Sequence, residues 1–330
     1  MSSARIPLSV VDLMPSRESD PYTRTMSDTL AFAQGVEKAG YHRYWVAEHH
    51  NSEALASSAT VVVMAEVAAA TSTIRVSAGG IMLPNHAPYV VAEQFGTLDA
   101  FHPGRIDLGL GRAPGTDPWT SRVLQRDAGA ASSFPDEVSL VQAWLGPVQP
   151  GQHVQALPGQ GSNVPIYILG SSTFGASLAA QRGLPYVFAS HFAPDHLMTA
   201  LDLYRTNFRA SEHLDRPYAI VAANAVVADT DERARYLFTA MQQRFALLAR
   251  GQMKFVPPVD DIETVWSPEE KAVVNRMLAE SHVGSPTTVR DGLDDLVERT
   301  RADELMLSAE TWDLGDRVRS FELLADAWGM

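Results

Sequence analysis

The stretch RIDLGLGRAPGTDP, residues 105–118, sets three glycines around an arginine: Gly109, Gly111 and Gly115, with Arg112 after the second. A glycine-rich loop behind a strand can cradle a phosphate, and the dinucleotide-binding form is G-x-G-x-x-G opening directly into a helix. Here the third glycine comes one residue late and Pro114 stands in its place. No clean apolar helical period follows. What remains is a buried strand running out into a loop that presents an arginine, whose planar fork suits phosphate oxygens.

Three other stretches carry residues capable of chemistry. In ILGSSTFGAS, Gly170, Ser171 and Ser172 lead straight into a helix. A helix start offers free N–H groups and a partial positive charge to an anion; a serine there can equally serve as an N-cap. In Glu48-His49-His50 the two histidines are adjacent. Neighbours on a strand point to opposite faces, so one metal ion does not hold both without a turn, and no metal-ligand spacing accompanies them. One histidine is expected to move a proton, with the other structural and Glu48 orienting a ring. In SAGGIMLPN, Gly79 and Gly80 interrupt an apolar strand. Bare backbone of this kind admits a second backbone or a flat ligand, or else marks a bulge.

The elements that must position these residues alternate. Apolar runs at 6–13, 41–48, 74–83, 105–111, 164–170, 184–190, 218–228 and 303–309 read as eight strands. Helical segments follow at 26–40, 57–72, 87–101, 134–146, 171–183, 193–209, 230–250 and 316–328. Ser27 is the expected N-cap of the first, Gly40 its stop, and Pro88 opens the third. Strand–helix alternation implies parallel pairing with right-handed crossovers. Eight units in 330 residues point to one closed (β/α)8 barrel over 1–330, with an open doubly wound sheet as the alternative. Segment 251–268 is irregular and falls between units seven and eight, where a lid insertion over the site is expected.

In such a barrel the site gathers at the C-terminal ends of the strands. That rule adds Met14, His86, His191 and Phe192 as candidate pocket walls. A net charge of −13 speaks against nucleic acid as a partner. The chain holds no cysteine, which removes disulfides, thiolate metal sites and thiol nucleophiles together. No apolar stretch approaches the roughly 20 residues that span a bilayer. The N-terminus has no secretory pattern, so a cytoplasmic protein without a metal is expected.

Taken together, YWVAEHH, the run from AGGIMLPNH to GLGRAPGTD, and ILGSSTFGASLAAQRGLPYVFASHFAP closely resemble the non-luminous branch of the bacterial-luciferase-like flavin-dependent monooxygenases. The resemblance covers most of the chain and is weakest at 120–160 and 250–285. It implies an oxidoreductase that takes reduced FMN from a separate flavin reductase and uses O2 on a small organic substrate. It implies that Arg112, Ser171 and Ser172, beside Gly170, hold the FMN phosphate. Gly79 and Gly80 would underlie the isoalloxazine at a non-proline cis peptide, and His49 would be the acid/base. The family also makes dimers through this part of the barrel, and the segment 57–70, nearly all Ala, Val and Met, suits a homodimer interface. The chain departs from luciferase in having Gly111 where a cysteine flanks the flavin, and Ser171 where a glutamate stands. Two other functions fit the same barrel: an F420-dependent dehydrogenase, whose site would be wider and more basic, and a non-catalytic flavin-binding protein.

Overall fold

The computed structural model describes residues 5–124, 129 and 131–330. The first half runs β1 (Leu8–Asp12), α1 (Tyr22–Lys38), β2 (Arg43–Val46), α2 (Thr60–Ala70), β3 (Arg75–Ala78), β4 (Ile81–Met82), α3 (Pro88–Phe101), β5 (Ile106–Gly111), α4 (Pro118–Val123) and α5 (Phe134–Leu145). The second half runs β6 (Ile166–Gly170), α6 (Thr173–Arg182), β7 (Tyr186–Phe188), α7 (Leu197–Asn207), β8 (Ala219–Val227), α8 (Asp231–Ala249), α9 (Pro268–Met277), β9 (Ser281–Gly284), α10 (Pro286–Thr300), β10 (Glu304–Ser308) and α11 (Leu314–Trp328). All the pairings between these strands are parallel. β10 bonds to both β1 and β8 and closes the ring. β4 continues the β3 stave past Gly79–Gly80 and pairs with β5. β9 pairs only with the far end of β8, outside the ring. The result is a closed eight-stranded parallel barrel with flanking helices, as expected, and the open sheet is excluded.

Period-two alternation sorts the side chains. On β1, Leu8 and Val10 face the helices while Val11 joins Trp45, Tyr167, Ile220 and Met306 inside the barrel. The N-terminal end of the interior is polar. Arg43 pairs with Asp107 at 3.0 Å and with Glu304, and donates to the Tyr167 hydroxyl at 2.8 Å. Ser77 and Tyr218 donate to the same two carboxylates at 2.8 and 2.7 Å. These charges satisfy one another, so this end is sealed, and the apolar layer above it leaves open space only toward the C-terminal ends of the strands.

The eight strands emerge with trimmed ends. Ser27 is not the N-cap of α1: the helix starts five residues earlier, behind Pro21, and the Ser27 hydroxyl donates to the Thr23 carbonyl at 3.1 Å. The stop at Gly40 is as expected, with φ +91°. α2 has Ala59 at its N-cap. The elements α4, α9, β9 and α10 were not anticipated. α10 did carry a signal: Ser285 caps it, Pro286 follows, and Val289, Leu293 and Leu296 are its buried stripe. Segment 251–268 is irregular apart from a 3-10 turn at Ile262–Thr264. It is pinned to α8, because Gln243 donates to the Pro257 carbonyl at 2.7 Å and the Val259 amide donates to Thr239 at 2.9 Å.

Candidate functional site

A cavity of about 600 Å³ opens among the C-terminal ends of the strands. It collects His49, Gly79, Gly80, Arg112, Gly170, Ser171, Ser172, His191 and Phe192 from five separate loops or strand ends. Two expected walls are absent from it. Met14 has the wrong parity: Val11 and Leu13 face the cavity, while Met14 is buried in the outer core at φ +55°. His86 turns back to Glu48 and stands behind the cavity, not in it.

The phosphate-sized corner is built by β5, β6 and α6. β5 is buried along its whole length and delivers Arg112 just past its end. The Arg112 guanidinium lies 3.8 Å over the Phe174 ring, in the first turn of α6. Ser172 occupies the N-cap position of α6, yet its side chain makes no capping bond. Its carbonyl accepts from the Tyr186 hydroxyl at 3.0 Å, which fixes the turn. A cation, a helix N-terminus and hydroxyl groups thus meet at one place.

The floor is backbone. The Gly79–Gly80 peptide bond is cis. A Cβ on Gly80 would stand 2.7 Å from the Gly109 carbonyl oxygen, so the two strands approach closer than any side chain allows. Gly111, next on β5, leaves room for Met82.

Next to His49 stands Glu48, a buried carboxylate held low by its partners. Burial alone would raise this carboxyl, but hydrogen bonds from His50 (2.8 Å) and His86 (2.9 Å), joined by the Met82 amide (3.1 Å), outweigh it and hold Glu48 down at about 2. Glu48 therefore orients two rings and the strand β4, as a positioning carboxylate. His49 is half-buried, and its Nδ1 is covered and has no hydrogen-bond partner. Burial first, and then the Arg244 cation, lower it to about 4. His191 is held at about 3 by burial, Arg244 and His49, in that order. Both rings are neutral at pH 7.

Sequence reasoning missed Arg244, on α8, and Glu310, just after β10, which face the cavity as an ion pair with Nη2 to Oε1 at 2.6 Å. Glu310 follows a recognised strand and was open to the same strand-end rule. Arg244 sits inside a long amphipathic helix and carried no signal. Among the described residues no group of three or more His, Cys, Asp or Glu is placed to hold a metal. Nor, among them, is any helix long and apolar enough to cross a membrane.

The family model for luciferase-like monooxygenases matches residues 7–304. The chain belongs to the luciferase-like monooxygenase family. A luciferase-like monooxygenase of Escherichia coli (strain K12) is 46% identical over 99% of this chain and 98% of its own. The crystal structure of apo-MsnO8 superposes with a TM-score of 0.92 at 32% identity, over 99% of this chain and 98% of that one. The oxygenating component of a 3,6-diketocamphane monooxygenase of Pseudomonas putida, solved with FMN, matches at a TM-score of 0.71 and 19% identity over 97% of each chain, a likeness of fold.

Proposed function

We propose that this luciferase-like protein is the oxygenase of a two-component system, which receives reduced FMN from a separate flavin reductase and uses O2 to oxygenate a small organic substrate. The observation that carries the reading is the corner at α6: Arg112 over Phe174, beside a Ser172 hydroxyl not spent on capping, opening into a cavity floored by Gly79–Gly80. The residues fit a flat ring bearing one phosphate. Arg112, Ser171, Ser172 and the amides after Gly170 would hold the phosphate, as a helix start with a guanidinium does. Gly79 and Gly80 would leave the ring on bare backbone. Bound reduced flavin supplies the electrons that activate O2. Leu169, Ala47 and Met306 give the cavity apolar wall that would exclude water from a bound ring. His49 moves the proton; with Nδ1 unpartnered, its tautomer is set by what enters the cavity.

FMN is preferred to F420 because Arg112 and Arg244 are the only Lys or Arg side chains lining the cavity among the described residues, and Asp117 lines it too. The longer, acidic tail of F420 calls for more. The test is rapid mixing of the protein loaded with reduced FMN against aerated buffer. A flavin absorbance transient absent from free reduced FMN supports an oxygenase. Oxidation at the rate of free flavin contradicts it and leaves a flavin-binding protein. The same reading includes a homodimer through α2, whose Val62 is 64% exposed beside Glu66 on a helix otherwise made mostly of Ala, Val and Met. A monomeric mass at micromolar concentration removes that part alone.

A further inference from the structure

We propose that the end of the cavity beside Arg244, His49 and His191 is a subsite for the carboxylate of an amphipathic substrate. This rests on reading the cavity as the site of a flavin and its substrate. Arg244 is 6% exposed and its partner Glu310 2%. Glu310 accepts a hydrogen bond from Nη2 and lies against Nε as an ion pair, and Nη1 takes no part in that pairing. His49 and His191 line the same cavity as Arg244, and their Nδ1 atoms are covered and unpartnered. Buried polar nitrogens are ordinarily satisfied, and leaving them unmet is costly. A buried guanidinium with an uncommitted Nη1, lining one cavity with two histidines whose Nδ1 atoms are unmet, therefore points to a ligand with acceptor oxygens. Arg244 can only donate, and each neutral imidazole has one N–H to offer. A planar group with two oxygens and a negative charge satisfies this set better than one carbonyl.

Arg244 is also in the wrong place for the flavin phosphate. Arg112 ends β5, whereas Arg244 comes from α8, which follows β8, three staves further round the ring. The Phe245 ring lies 4.6 Å beneath its guanidinium and Glu310 fixes its plane. Val11, Leu13, Leu248 and Met306 then offer apolar wall to the rest of the molecule.

The probes are octanoate and octanamide, which match in shape and differ in charge, titrated calorimetrically into the FMN-loaded protein. Octanoate is expected to bind about tenfold or more tightly than the amide. Arg244→Met should remove that preference and leave the amide within about threefold, and Glu310→Gln should tighten octanoate by removing a competing carboxylate. Equal affinities in the wild type, no octanoate binding up to millimolar concentration, or a preference that survives Arg244→Met would each overturn the proposal. If Arg244→Met does not fold, the wild-type comparison decides. Anaerobic binding of reduced FMN to the same samples separates the two readings. FMN binding without a carboxylate preference fails only the subsite, and a carboxylate preference without FMN binding fails only the flavin.

Discussion

The Arg112 guanidinium stands 3.8 Å above the ring of Phe174, and so is held at the N-terminus of α6 by an aromatic side chain of that same helix. The arrangement pre-positions a cation where the helix amides already face an anion. Replacing Arg112 by glutamine is expected to weaken FMN binding about 10- to 100-fold, the loss of a charge-assisted phosphate contact. Riboflavin, which has no phosphate, should bind the two proteins alike. Fluorescence titration of both flavins checks this, and an equal loss for riboflavin would place Arg112 elsewhere.

Two glycines distinguish packing from ligand approach. At Gly80 a Cβ would meet the Gly109 carbonyl oxygen at 2.7 Å, so Gly80→Ala must move β5 and is expected to cost roughly 1–3 kcal/mol of stability along with flavin affinity. At Gly170 the nearest neighbour of a Cβ is Gly175 Cα at 3.9 Å. Gly170→Ala should therefore melt like the wild type and lose only FMN affinity, because Gly170 lines the cavity at the start of α6. Thermal melts beside FMN titrations separate the two.

His49→Gln should leave reduced-FMN affinity unchanged and lower turnover by about 10²- to 10⁴-fold, the range of a lost proton-transfer group. Oxygen uptake coupled to product formation reads this directly. An unchanged rate would assign the proton transfer to another group.

Acid should unfold the protein in a defined window. His49 and His191 are held at about 4 and 3, below the usual histidine value of 6.5. Between pH 6.5 and those values the unfolded chain takes up protons that the folded chain refuses, so stability falls as pH falls, by up to about 1.4 kcal/mol per pH unit for each ring. Glu48, held at about 2 against its usual 4.5, adds to the loss below pH 4.5. Above pH 6.5 none of the three contributes a slope. Urea melts at pH 7, 6 and 5 check this, and His191→Asn should flatten the decline.

The barrel was legible because its strands are buried on both faces and read as apolar runs, from the β1 region to LMLS in β10. The strand-end rule then reached His49, Gly170–Ser172, His191 and Phe192. It failed at Met14, where alternation aims the side chain outward, and at His86, where a 3-10 turn intervenes and Glu48 captures the ring. β9 is four residues long with a histidine and a glycine, too short for a period to show. Arg244 was hidden by its helix: the charge of one residue on α8 does not reveal that it faces a cavity.

The most direct test is anaerobic titration of reduced FMN and reduced F420 into the purified protein. The account predicts saturable binding of reduced FMN, at least tenfold tighter than riboflavin and tighter than F420, with the margin over riboflavin lost in Arg112→Gln. Binding of F420 in preference to FMN, or no binding of either, would contradict it.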